Sequence, residues 1–209
     1  KVWSPSNYSD EYLGLITFRR ALMVSSNAAA VRVSQSVGLP RIIENAHRLG
    51  IDSNIPDYPA VALGAIDVTP IELVRAYAPF ANGGYRVAPR LVKRIESRDG
   101  ESLWSGETVA PERVIDPRDA YELTSMLRAV VDYGTGHTIR DWGAKGMIAG
   151  KTGTTNDGTD VWFVGYTPNV VAAVWFGYDD PHSISYNATG GRLAAPAWAE
   201  LYSQGWKEA

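Results

Sequence analysis

Residues 147–178 read MIAGKTGTTNDGTDVWFVGYTPNVVAAVWFGY. Apolar, β-branched and aromatic residues fill three stretches here, Met147–Thr155, Asp160–Tyr166 and Val170–Tyr178. Asn156-Asp157-Gly158 separates the first two, and Thr167-Pro168-Asn169 joins the last two. Such runs, bounded by turn formers, predict three successive strands in an antiparallel meander. Pro196 then opens a closing helix with Trp198, Leu201 and Tyr202 at helical spacing.

Upstream the pattern turns helical. Thr17 suits the cap of a short helix through Met23, and Asn27 the cap of a second with Ala30, Val33 and Val37 on one face before Gly38. Pro40 fits the first turn of a third, with Ile42, Ala46 and Leu49 inward and Gly50 as its stop. Thr69-Pro70-Ile71-Glu72 is a capping box ahead of the stripe Leu73, Ala76, Tyr77 and Phe80. Leu91, Lys93 and Ile95, followed by Asp99-Gly100 and Leu103, predict a hairpin. Asp116-Pro117 opens a longer helix with Ala120, Leu123, Leu127 and Val130 inward, ending at Gly134-Thr135-Gly136. Helices, a meander and a returning helix imply an α+β fold with helices packed on an antiparallel sheet.

Composition narrows the chemistry. With 209 residues, 45% hydrophobic and 21% charged, the chain can build one sizeable core. Its 20 basic against 23 acidic residues leave a net charge of −3, so nucleic acid is not an expected partner. The absence of cysteine excludes disulfides and thiolate chemistry. The three histidines, His47, His137 and His182, are scattered and form no zinc motif, so neither a metal nor another cofactor is expected. No uncharged apolar run reaches the roughly 18–20 residues of a membrane span. Lys1 is not an initiator methionine and no signal peptide follows it, so the chain is expected to have been cut from something longer.

Two short motifs carry chemistry. In Lys151-Thr152-Gly153-Thr154-Thr155, the lysine offers a cation or a proton relay, and the threonines offer short donors and acceptors. Gly153 lets an extended peptide approach the strand. Alone, the motif also reads as the polar end of a strand. Ser25-Ser26-Asn27 likewise reads as a helix cap. Yet Ser25 and Asn27 can both face a cleft from an interhelical loop, one passing a proton and the other holding a peptide amide.

Taken together, Ser25-x-Asn27 and Lys151-Thr152-Gly153 resemble the second and third motifs of the serine penicillin-binding proteins. Trp3-Ser4-Pro5-Ser6-Asn7-Tyr8 looks like the segment leading to the second motif, and Ala62-Leu63-Gly64-Ala65, Ala81-Asn82-Gly83-Gly84, Gly134-Thr135-Gly136 and Asp160–Pro168 are similar to the bifunctional, class A branch. The resemblance covers nearly the whole chain and implies the penicillin-binding-protein/serine β-lactamase-like transpeptidase fold. It also implies a peptidoglycan D,D-transpeptidase that attacks the D-Ala-D-Ala end of a stem peptide through a serine acyl-enzyme. β-Lactams acylate the same serine, which ties the family to antibiotic resistance. By resemblance, Ser25 relays protons between the lysine of the family's first motif and Lys151, helping the leaving group depart, Asn27 holds the acyl-side amide and Lys151 supplies positive potential and completes the relay. Thr152 supports the strand or the relay, and Gly153 lets substrate approach. Thr154 bonds the substrate carboxylate, and its backbone N–H serves the oxyanion hole.

One feature of the family is not found. No serine in the sequence has lysine three positions later, and Ser203 misses by one. The Ser-x-x-Lys motif is therefore expected upstream of Lys1, in a missing part of the same protein. Residues 1–209 then form an incomplete transpeptidase domain lacking its N-terminal part, inactive alone. The resemblance places the whole protein outside the cytoplasmic membrane, anchored through the missing segment, with a glycosyltransferase domain ahead of it. A natural remnant without acyl-transfer activity is the competing explanation. A D,D-carboxypeptidase or β-lactamase-type hydrolase and a non-catalytic peptidoglycan-binding scaffold stay open as alternative functions.

Overall fold

Thr17, in extended backbone, accepts a hydrogen bond from Arg20 N and starts α1, Phe18–Met23. The structure is a computed structural model and describes residues 5–106 and 110–206; Trp3 and Ser4 lie outside them. Ser25 takes left-handed backbone, φ 57°, and closes α1. The extended residue that caps α2, Asn27–Val37, is consequently Ser26 and not Asn27: Ser26 Oγ accepts from Ala29 N at 3.4 Å. Asn27 is the first residue inside the helix. The buried face of α2 also differs from expectation, being Val31 and Ser34, while Val33 and Val37 are exposed. Apolar residues lie on several sides of this helix, so its packing against the 3₁₀ turn Pro59–Leu63 selects the face.

The third helix, α3, runs Leu39–Leu49 and ends at left-handed Gly50, φ 112°. It packs with α4, Pro70–Ala81, around Ile51, Ile55 and Ala76. Glu72 joins the two. Buried as the third residue of α4, it completes the capping box with Thr69. It also accepts from Asp52 N, Ser53 N and Ser53 Oγ at 2.8, 2.6 and 2.9 Å. The backbone bond from Thr69 is the main cause that holds its carboxyl down, against opposing desolvation, from 4.5 to about 2. Because the folded value lies below the unfolded one, this stabilisation is present above about pH 4.5 and is lost as pH falls toward 2. Glu72→Gln is therefore expected to flatten the acid limb of a stability-versus-pH profile by on the order of 3 kcal/mol, read by urea denaturation. An unchanged acid limb would remove Glu72 as the clamp.

The predicted hairpin forms from β1, Arg94–Glu96, and β2, Ser102–Ser105, but every residue of both strands is exposed. The Asp99-Gly100 turn sets the pairing, and no apolar face is buried behind it. Helix α5, Pro117–Tyr133, is capped by Asp116 and buries Ala120, Leu127 and Val130 as predicted, with Leu123 partly buried. The short α6, Thr138–Asp141, follows and has no counterpart among the predicted elements.

The meander is β3, Ala149–Thr154, β4, Val161–Tyr166, and β5, Val171–Phe176, antiparallel in the order β3-β4-β5. Alternation gives each face its own core. Phe163 packs with Ile139, Ile148 and Trp198 of α7, Ala195–Leu201, all fully buried. On the other face Ala149 and Tyr166 meet Leu127 of α5 and Tyr77 and Phe80 of α4. Burying such side chains stabilises by about 1.5–3 kcal/mol each. Trp162 and Trp175 form an aromatic pair near the end of the sheet, and Trp175 and Phe176 are exposed. No helix among the described residues is long and apolar enough to cross a membrane.

Candidate active site

Ser25 and Lys151, 126 residues apart, meet at the rim where α1 ends beside β3. The left-handed backbone of Ser25 costs a non-glycine residue about 1–2 kcal/mol, and Ser25 N still donates to Leu22 O. That turn leaves the Ser25 hydroxyl to the lysine: Lys151 Nζ donates to Ser25 Oγ at 2.8 Å and to Thr152 O at 2.9 Å. Burial beneath the α5 side of the sheet lowers the Lys151 ammonium from 10.5 to about 8. A lysine so placed can carry positive potential at neutral pH and release a proton at little further cost.

Strand alternation puts Lys151 and Gly153 on one face of β3 and Thr152 and Thr154 on the other. Because β3 is an edge strand, both faces border the same rim. Thr152 Oγ1 lies 2.7 Å from Thr135 Oγ1. Thr154 Oγ1 accepts from Gly190 N at 3.0 Å, which leaves its own hydrogen to donate. Gly190 has no substitute in this packing: a Cβ there would come within 2.3 Å of Trp162 O and 2.5 Å of Gly153 O. Thus the turn Gly190–Ala194, ahead of α7, lies directly against the back of the motif strand.

Asn27 is oriented differently from Ser25. Its Nδ2 donates to Ser6 O at 2.9 Å, so the amide holds the N-terminal segment. Asn7 supports the same loop, its Oδ1 accepting from Ser26 Oγ at 3.3 Å and from Ala28 N at 3.1 Å. Asn7 and Gly190 have no role in the sequence reading, whereas Gly134-Thr135-Gly136 borders the active-site region by resemblance and reads equally as a helix end. The signals in the sequence are the place of Asn7 within the Trp3–Tyr8 segment that carries the resemblance, and the Gly190-Gly191 pair as a turn former.

The histidines stand apart from this rim. His137 Nδ1 lies 3.4 Å from Asp141, His47 contacts Ile51 O and His182 stacks on Tyr178. Among the described residues no group of three or more acidic, histidine or cysteine side chains could hold a metal ion. Tyr8 and Tyr12 are exposed. What the rim offers chemically is a serine–lysine hydroxyl–ammonium pair beside a hydroxyl-lined strand edge, suited to a substrate that is an extended peptide bearing a carboxylate.

Comparison with known proteins identifies the family. Residues 1–203 match the family described as the penicillin binding protein transpeptidase domain. Penicillin-binding protein 1A of Neisseria flavescens is 41% identical over 207 residues, 96% of this chain and 26% of the relative. The same-named protein of Pseudomonas aeruginosa is 35% identical over 248 residues, 95% of this chain and 30% of the relative. The chain thus spans about a quarter to a third of the length of these curated relatives. The crystal structure of penicillin-binding protein 1A from Haemophilus influenzae superposes with a TM-score of 0.88 at 28% identity, covering 97% of this chain and 37% of that one. The PonA1 protein from Mycobacterium tuberculosis, solved in complex with penicillin V, gives 0.78 at 27% identity, covering 94% and 58%. With the motif order, the α+β fold and the matched length in agreement, the chain belongs to the penicillin-binding protein transpeptidase domain family, among the class A proteins.

Proposed function

We propose that residues 1–209 are an incomplete transpeptidase domain that supplies two walls of a peptidoglycan D,D-transpeptidase site. The observation that carries this reading is the 2.8 Å contact between Lys151 Nζ and Ser25 Oγ, which joins the two motifs into one proton path. In this scheme a serine of a Ser-x-x-Lys segment, in a part of the protein outside the present sequence, gives its proton to the lysine of that segment and attacks the carbonyl of the D-Ala-D-Ala bond. An amine of a neighbouring strand later displaces the serine from the acyl group. Ser25 delivers a proton to the departing D-alanine nitrogen, and Lys151 sustains that transfer and the positive potential of the cleft. Thr154 donates its hydroxyl to the substrate carboxylate, and its backbone N–H is one oxyanion donor, a type of contact worth about 10²–10³ in rate. Asn27 releases Ser6 to hold the acyl-side amide. β-Lactams acylate the same serine. The assembled enzyme works outside the cytoplasmic membrane, where its substrate lies, held by an anchor beyond these residues.

Incubation with a fluorescent penicillin, followed by denaturing separation and mass spectrometry, tests the scheme. A label on the polypeptide that contains Ser-x-x-Lys, and none on the 209-residue chain alone, is the expected result. No covalent label on a verified full-length protein would overturn the acyl-enzyme and leave a peptide-binding scaffold. Release of hydrolysed stem peptide without cross-linked product would instead assign a carboxypeptidase.

A further inference from the structure

The loop that closes α5 touches each segment of the rim. Thr135 N donates at 3.2 Å to the carbonyl of Met23, two residues before Ser25. The Thr135 side chain meets Thr152 at 2.7 Å. Its carbonyl lies under Gly191, where a Cβ would approach within 2.5 Å. Thr138 Oγ1 donates to Gly191 O, and neighbouring Gly190 holds Thr154. One loop therefore connects the end of α1, the Lys-Thr-Gly strand and the glycine turn behind it. Thr135 itself is exposed at the rim, with the half-buried Thr152 next to it.

We propose that Thr135 is a positioning residue for carboxylate recognition, donating its hydroxyl proton to Thr152 so that Thr152 points its own proton at the ligand. Each hydroxyl has one proton and two acceptor sites. Between Thr135 and Thr152 either oxygen can donate when the cleft is empty. Thr152 and Thr154 lie on the same face, one strand repeat apart, so a carboxylate that reaches Thr154 comes within range of Thr152. Once Thr152 donates to that anion, Thr135 must be the donor within the pair. The order Thr135 to Thr152 to carboxylate polarises each bond in turn and strengthens the last. Its anchor through the Met23 carbonyl keeps the donor in register with Ser25. This inference rests on the transpeptidase reading and adds a residue to its specificity machinery.

The test compares acylation of the intact protein by penicillin G and by its methyl ester, in wild type, Thr135→Val, Thr135→Ser and Thr152→Val. Thr135→Val is expected to slow acylation by penicillin G about fivefold, the scale of one lost neutral hydrogen bond, with less than about a twofold change on the ester. Thr135→Ser keeps the donor and stays near wild type, and Thr135→Val adds little to Thr152→Val because both break one chain. Equal losses on acid and ester, or a serine variant as slow as valine, would mean that Thr135 only ties the loop to the strand. If the wild type is not acylated, the transpeptidase reading fails separately. The carboxylate step is then read on the same intact protein by titration calorimetry with N-acetyl-D-alanyl-D-alanine and its methyl ester. There, an acid-over-ester preference that disappears in Thr135→Val supports the proposal, and no preference in the wild type overturns it.

Discussion

Replacing Lys151 with methionine, in the intact protein that carries this chain, is expected to lower the penicillin acylation rate constant by about 10²–10⁴-fold, the usual yield of a positioned proton-transfer group. The same change should raise folding stability near neutral pH. Lys151 is held down to about 8 by burial, below its ordinary 10.5. Between those values the unfolded chain binds a proton that the folded one does not, so wild-type stability rises with pH across that window. Below pH 8 the partly desolvated ammonium is a liability, and methionine removes it. The variant's advantage is expected to be on the order of 1–3 kcal/mol at pH 7 and to vanish near pH 10.5. Urea denaturation at both pH values, beside acylation kinetics, checks the pair of effects. A variant that is less stable and still acylates normally would reject the role given to Lys151.

Trp198→Ala is expected to cost about 3–5 kcal/mol and to lower Tm by on the order of 10 °C. Trp198 is fully buried, edge-on to Phe163 at 5.7 Å between centroids and stacked on Tyr202 at 5.5 Å. Its Nε1 donates to Ala172 O at 3.2 Å, so truncation opens a cavity and also removes this hydrogen bond. The damage should reach the site. Trp198 lies just beyond the Gly190–Ala194 turn, and Gly190 N is the donor to Thr154. Trp175→Ala, at the exposed end of β5, should cost only about 1 kcal/mol. Differential scanning calorimetry separates the two; similar losses would contradict the assigned core.

Local chemistry explains which elements were legible. The capping box at Thr69–Glu72 and the Asp116-Pro117 helix start satisfy backbone donors within one turn, so their residues define them wherever the chain goes. The strand boundaries were legible because Asn156-Asp157-Gly158 and Thr167-Pro168-Asn169 cannot continue a ladder. Misreadings occurred where a choice depended on something distant. Both Ser26 and Asn27 are good caps, and the left-handed turn at Ser25 decides between them. Val33 and Val37 have the right spacing for a buried face, but α2 packs against the 3₁₀ turn Pro59–Leu63 with Val31 and Ser34 as its buried residues. Trp175 and Phe176 have strand propensity without burial, because helices cover only part of the sheet.

The site divides along the same line. From the sequence alone came the α+β class, the meander, and Ser25, Asn27 and the Lys151–Thr154 strand as chemistry-bearing groups, because residue type and spacing are local properties. Only the tertiary structure brought Ser25 to within 2.8 Å of Lys151 across 126 residues and lowered the lysine to about 8. Only it turned Asn27 toward Ser6 and set Thr135 against Thr152. Distance and desolvation depend on how α1, α5 and β3 pack, and no short stretch of sequence encodes them.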